Sequence, residues 1–127
     1  RIRTWGCVYI DIDHFKHYND AHGHQAGDEV LVQISRLLMR SVRAREAIVR
    51  LGGDEFLVVL ESADLASTER VARRLQLDAI GSAAVPFSLG WAARENDEAL
   101  EQTIDRADRK LLAVRVIDRT GERNKRA

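Results

Sequence analysis

Residues 50–60 read RLGGDEFLVVL, and the hairpin pattern of this segment is the starting point for predicting the fold. Apolar residues lie on both sides of the Gly52-Gly53 pair, which is the pattern of two short strands joined by a tight β-hairpin turn. Two glycines are enough to reverse the chain, and alone the pattern is that of an ordinary turn. The carboxylates of Asp54 and Glu55, set between the glycines and the apolar run, raise the question of a second role.

The remaining elements extend from this hairpin into one α+β domain. Strands are predicted at 5–12, 47–51, 56–61 and 85–93, and helices at 29–42, 65–75 and 100–114. Residues 13–27 lack apolar periodicity and predict an irregular connection, with Asp28 as the N-cap of the first helix and Asp64 as that of the second. The order predicts a ferredoxin-like or palm-type βαββαβ sheet that contains antiparallel pairs and has flanking helices. The helices of the βαββαβ unit itself should lie on one face of the sheet.

Composition limits the kinds of partner. The chain has 127 residues, of which 45% are hydrophobic, and it contains no linker, so residues 1–127 form one domain. Twenty basic and twenty acidic residues give no net charge, which argues against nucleic acid and against direct membrane contact by this segment. A single cysteine excludes an internal disulfide and fits a cytoplasmic setting. The chain starts almost directly in a strand, so we expect a piece of a longer signalling protein.

Two carboxylates at the end of the first strand suggest a metal site. Asp11 and Asp13 are two residues apart, so both should lie on the same face of the strand. If this strand neighbours the hairpin, Asp11 would face Asp54 or Glu55. Carboxylates from adjacent strands suit Mg²⁺, which takes few protein ligands and completes its shell with water and phosphate oxygens.

The stretch FKHYNDAHGHQAGD at 15–28 adds groups suited to a nucleotide. Lys16 could meet a phosphate as a point charge. Asn19 and Asp28 offer the acceptors and donors that a guanine edge requires. Turn chemistry explains the same residues equally well. The histidines of this region suggest zinc only weakly, because no cysteine is near and their spacing matches no zinc pattern; they are His14, His17, His22 and His24.

The two blocks together resemble a known family. DIDHFKHYNDAHGHQAGDEVL at 11–31, followed by RLGGDEF at 50–56, closely resembles the GGDEF domains, the diguanylate cyclases. SLGWA at 88–92 and RADRKL at 106–111 resemble the family's later strand and last helix. The resemblance implies a sheet like that of class III nucleotide cyclases. It also implies condensation of two GTP into cyclic di-GMP and two pyrophosphates by two domains facing each other as a homodimer.

The resemblance further implies roles for individual residues. Mg²⁺, or Mn²⁺ in its place, would be held by Asp11, the Ile12 carbonyl, Asp54 and Glu55. Asp54 would be the candidate base, Glu55 would support the metals and Lys16 would steady the phosphates. The other substrate-binding positions would be Asn19, His24, Asp28, Gly52, Gly53, Arg115 and Arg119.

Three departures from the family pattern affect these roles. The family's leading D-x-L-T-G-L-x-N-R segment is absent from this sequence. Arg115 stands where lysine is expected. The arginine of the family's following G-R-N motif corresponds to Arg119 by spacing or to Arg123 by motif. The product-inhibition pattern R-x-x-D reads RARE, from Arg43 to Glu46, so feedback inhibition by cyclic di-GMP stays open.

There are two alternatives to an active cyclase, and the departures leave room for the first of them. One is an inactive module that binds GTP or cyclic di-GMP and regulates a partner domain. The other is a plain ferredoxin-like interaction domain, which the density of matched polar residues disfavours. The positions that carry the residue types expected in contact with metal or nucleotide favour catalysis over both; they are Asp11, Lys16, Asn19, Asp28, Gly52, Gly53, Asp54 and Glu55.

Overall fold

A computed structural model describes residues 4–43, 46–80 and 85–126, with side chains in the last helix described as far as Arg115. The elements in chain order are β1 (Trp5–Ile12), α1 (Phe15–His22), α2 (His24–Ser41), β2 (Glu46–Arg50), β3 (Glu55–Glu61), α3 (Leu65–Ala79), β4 (Phe87–Ala93) and α4 (Leu100–Arg126). In these residues no helix is both long enough and apolar enough to cross a membrane.

Four strands form one sheet in the order β2-β3-β1-β4, with every neighbouring pair antiparallel. This is the predicted α+β arrangement, and the hairpin, the first strand and the fourth strand lie within one or two residues of their expected bounds. The turn between β2 and β3 is braced by Arg50, which donates to the carbonyl oxygens of Gly52 at 3.1 Å and Gly53 at 3.0 Å. The strand β3 begins at Glu55, directly after this turn.

The irregular connection predicted at 13–27 is wrong. Most of it is helical, because α1 occupies Phe15–His22 and α2 already begins at His24. Gly23 separates the two helices with a φ of 90° and is the N-cap of α2, so Asp28 is not a cap but lies inside the helix. The prediction failed because most polar residues of this stretch face solvent, on the eight-residue helix α1 and the first turn of α2, and leave no apolar stripe to detect. Asp64 does cap α3, accepting from the Ser67 N–H at 2.8 Å.

The sheet separates two unequal cores. On one face α2 and α3 cover β1 through Val8, Ile10 and Ile12. On the other face α4 packs through Ala107 and Leu111 against a smaller cluster. Two helices of the βαββαβ unit thus share a face as expected, and α4 covers the opposite one. Strand alternation carries Cys7, Tyr9 and Asp11 of β1 to the α4 face.

Candidate active site

The end of β1 lies beside the hairpin turn. In the β1–β3 register Asp11 is directly opposite Glu55. The Ile12 N–H donates to the Asp54 carbonyl oxygen at 3.1 Å, which ties the turn to the strand end. The geometry expected from the sequence is therefore present, because both hairpin acids lie next to Asp11.

Asp11 is the electrostatic centre of this cluster. Burial raises the pKa of Asp11 to about 6; Arg115 opposes the rise, and the neighbouring Asp54 carboxyl adds to it. One of its oxygens, Oδ1, is buried without a hydrogen-bond partner. A buried carboxylate oxygen without a donor, beside a second carboxylate, is suited to a cation.

The fit to Mg²⁺ rests on that free oxygen together with Asp54. Within the ranges that the structure describes, no three side chains of His, Cys, Asp or Glu are grouped closely enough to hold a metal ion. A hard ion with few protein ligands remains compatible with this donor set, because water and phosphate oxygens would supply the other ligands.

Arg115 of α4 reaches across to the same strand end. Its guanidinium donates to Asp11 Oδ2 and to Asp13 Oδ1, each at 3.0 Å, and to the Asp11 carbonyl oxygen at 3.3 Å. Asp13 also accepts from the Ser88 hydroxyl of β4 at 2.5 Å. Asp11 and Asp13 thus share a face, as predicted, and Arg115 joins them.

The two turn glycines leave open space above the turn. A Cβ built at Gly53 would meet no atom within 4 Å, and one at Gly52 would meet only Glu55 Oε2, at 3.8 Å. Of the described glycines, only Gly23 has a positive φ. Neither backbone conformation nor internal packing therefore requires glycine at these two positions. Space for a ligand above the turn would explain why both are glycine.

The residues predicted for the nucleoside end lie on α1 and α2. Asn19 is half-buried and packs against Gly27, where a Cβ would overlap the amide. Its Oδ1 is buried and accepts no hydrogen bond, so a donor from a ligand would suit it. Lys16 and His24 are exposed.

Asp28 lies farther along α2, in the wall of a cavity of about 390 Å³. The other described lining residues are Gln25, Glu29, Val32, Gln33 and Arg36, and they do not include Asn19 or His24. The structure therefore supplies a cavity at Asp28 but does not join it to the other two predicted contacts.

The proposed product-inhibition residues line a separate cavity of about 420 Å³ between β3 and α3. Arg43 and Glu46 contribute to it together with Arg70 and Arg74. Glu46 accepts from Arg74 at 2.5 Å, so this acid is already paired within the chain. The other assigned arginine, Arg119, lies in α4 beyond Arg115, the last residue whose side chain the structure describes.

Two site residues were missed by the sequence reasoning. Tyr9 donates to Glu55 Oε2 at 2.7 Å. Asp108 lies on α4, and burial, followed by the charge of Glu55, raises the pKa of Asp108. Spacing could have indicated both: Tyr9 precedes Asp11 by two residues in a strand, and Asp108 precedes Arg115 by two helical turns.

Fold and site together define a class of domain. It is an antiparallel α+β sheet in which acids at the end of the central strand meet acids at a glycine hairpin, with open space above the turn. The chain matches the family described as diguanylate cyclase, GGDEF domain, over residues 3–120. It belongs to the GGDEF domain family of diguanylate cyclases.

Relatives agree with this assignment. The chain is similar to the diguanylate cyclase DgcP of Pseudomonas aeruginosa, at 39% identity over 84% of the chain and 17% of that protein. It is 35% identical to the diguanylate cyclase DosC of Escherichia coli over 85% of the chain and 25% of the relative. The chain thus spans a quarter or less of the length of these relatives.

Solved structures share the fold. The diguanylate cyclase SiaD of P. aeruginosa, solved with its activator SiaC, aligns with a TM-score of 0.80 and 32% identity over 88% of this chain and 46% of SiaD. The GGDEF domain of Caulobacter crescentus DgcB, solved with c-di-GMP, aligns with a TM-score of 0.81 and 26% identity over 89% of this chain and 72% of that one.

Proposed function

We propose that this domain condenses two GTP molecules into cyclic di-GMP with release of two pyrophosphates. The observation that supports this most is the placement of Asp11 directly opposite Glu55 and beside Asp54, at a turn whose glycines face open space. Paired carboxylates suit a cation that holds a triphosphate, and the bare turn lets that triphosphate come close. The family's relatives named as diguanylate cyclases point to the same reaction.

Each acid has a distinct part in the proposed reaction. Mg²⁺ or Mn²⁺, when bound, would neutralise phosphate charge and make the 3′-hydroxyl a better nucleophile. Asp11, the Ile12 carbonyl and Asp54 would hold it, with support from Glu55. Asp54 would accept the proton of the attacking 3′-hydroxyl.

Cationic side chains would meet the phosphates. Lys16 is exposed next to the end of β1, where it is free to reach a triphosphate. Arg115 is paired with Asp11 and Asp13, and incoming phosphates would compete for its guanidinium. Because one domain would bind one GTP, bond formation requires a second copy facing the first, as a homodimer.

A turnover assay tests the proposal. The chain is incubated with GTP and Mg²⁺ at concentrations where dimer is detected, and cyclic di-GMP is followed by chromatography. Product supports the cyclase. Tight GTP binding without turnover in a proven dimer would instead indicate a regulatory module that binds nucleotide.

Guanine selection is expected to depend on Asp28. A carboxylate that accepts from the N1–H and N2–H₂ groups of guanine has no equivalent partner on adenine. We expect Asp28→Ala to reduce the preference for GTP over ATP by about tenfold. Competitive binding of the two nucleotides measures this. Glu101→Ala, an exposed acid of α4 outside this cavity, is the matched control. An unchanged preference in Asp28→Ala would contradict the assignment.

Product inhibition is expected to depend on Arg43. A guanidinium that pairs with product phosphate contributes a charge-assisted hydrogen bond, so Arg43→Ala should raise the inhibition constant for cyclic di-GMP about tenfold. Initial rates at increasing cyclic di-GMP measure it. Arg109→Ala, an exposed arginine of α4, serves as the control. No inhibition of the parent chain would exclude the site.

A further inference from the structure

Tyr9 is placed where its hydroxyl can act on the hairpin acids. It is 9% exposed and lies on the α4 face of β1, opposite Leu57 in the register. Glu55 is two residues before Leu57 on β3, so Tyr9 and Glu55 are diagonal neighbours on one face of the sheet. A tyrosine is long enough to span that diagonal.

The contact has a defined direction. The Tyr9 hydroxyl lies 2.7 Å from Glu55 Oε2. A phenolic hydroxyl carries its proton at neutral pH, and an ionised carboxylate offers only acceptor oxygens. The hydroxyl is therefore the donor and the carboxylate the acceptor.

Glu55 needs such a donor because its other neighbours are acidic. Asp11 lies directly opposite Glu55 on β1, and the charge of Glu55 acts on Asp108 of α4. Repulsion from these groups would favour rotation of the Glu55 side chain away from the sheet. The bond from Tyr9 engages one oxygen, Oε2, on the side next to Gly52, and opposes that rotation.

We infer that Tyr9 is a positioning residue for the proposed cyclase, holding the Glu55 carboxylate beside the turn through its hydroxyl. The inference rests on the proposed function. Tyr9 itself does not touch the nucleotide in this arrangement. It acts through Glu55, and its ring belongs to the core under α4.

Tyr9→Phe removes the hydroxyl and keeps the ring. We expect kcat for cyclic di-GMP formation to fall about tenfold, because the charge-assisted hydrogen bond that positions the Glu55 carboxylate is lost. Affinity for a non-hydrolysable GTP analogue with Mg²⁺, measured by calorimetry, should stay within about twofold, since no nucleotide contact is removed.

A double-mutant cycle shows whether the effect passes through Glu55. The coupling free energy of Tyr9→Phe with Glu55→Gln is measured from urea unfolding, which requires no turnover. Thr103→Val is the matched control, because it also removes a buried hydroxyl that donates to a carboxylate, Glu98, at 2.9 Å. The control should lose stability without lowering kcat per folded molecule.

The outcomes separate the two proposals. An inactive parent chain overturns the proposed function and this inference with it. An active parent with the same kcat in Tyr9→Phe overturns the Tyr9 assignment alone, as does an absence of coupling to Glu55. A lower kcat with retained analogue affinity and measurable coupling supports it.

Discussion

Asp54→Asn is expected to lower the rate of cyclic di-GMP formation roughly a thousandfold, because in the proposed reaction Asp54 is both the general base and a charged metal ligand. The fold should survive. The turn is held by backbone contacts and by Arg50, none of which involves the Asp54 side chain. Chromatographic product assays measure the rate, and circular dichroism confirms folding.

The same substitution should relieve repulsion. Asp54 is one of the groups that raise the pKa of Asp11, so its neutralisation should leave the folded state unchanged or slightly more stable near neutral pH. Asp97→Asn, an exposed loop acid remote from the turn, is the matched control for both measurements. Activity of Asp54→Asn near that of the parent would contradict the assigned role.

Gly90→Ala is expected to destabilise the domain by about 2–3 kcal/mol through overpacking. A Cβ at this position would overlap the carbonyl oxygen of Ala107 and press on the backbone N of Leu111. Both atoms belong to the backbone of α4, so relief requires the whole helix to move. The same shift would draw Arg115 away from Asp11. Urea unfolding measures the loss.

Gly53→Ala is the matched control for stability, since its Cβ would meet no atom within 4 Å. Its free energy of unfolding should equal that of the parent or exceed it by a few tenths of a kcal/mol, about what a less flexible unfolded chain contributes. Equal stability of Gly90→Ala and Gly53→Ala would show that α4 does not pack on β4 as described.

Local patterns predicted much of the sheet. β1, the hairpin and the cap of α3 were recognised because their signals are contained in a few adjacent residues: β-branched runs, a glycine turn and an Asp before a helix. The irregular connection predicted at 13–27 was wrong because the prediction used only such local signals. Its helices depend on the burial of Phe15 in the core and on the close packing of Gly27 against Asn19, and a local apolar period does not record either contact.

The family and the candidate acids were readable from the sequence alone, because the blocks at 11–31 and 50–56 combine residue types and spacing that few other families share. Tertiary structure decided which atoms meet. Strand register set Asp11 opposite Glu55, and the placement of α4 brought Arg115 to Asp11. These contacts join positions 44 and 104 residues apart, and only the packing of the sheet against α4 could specify them.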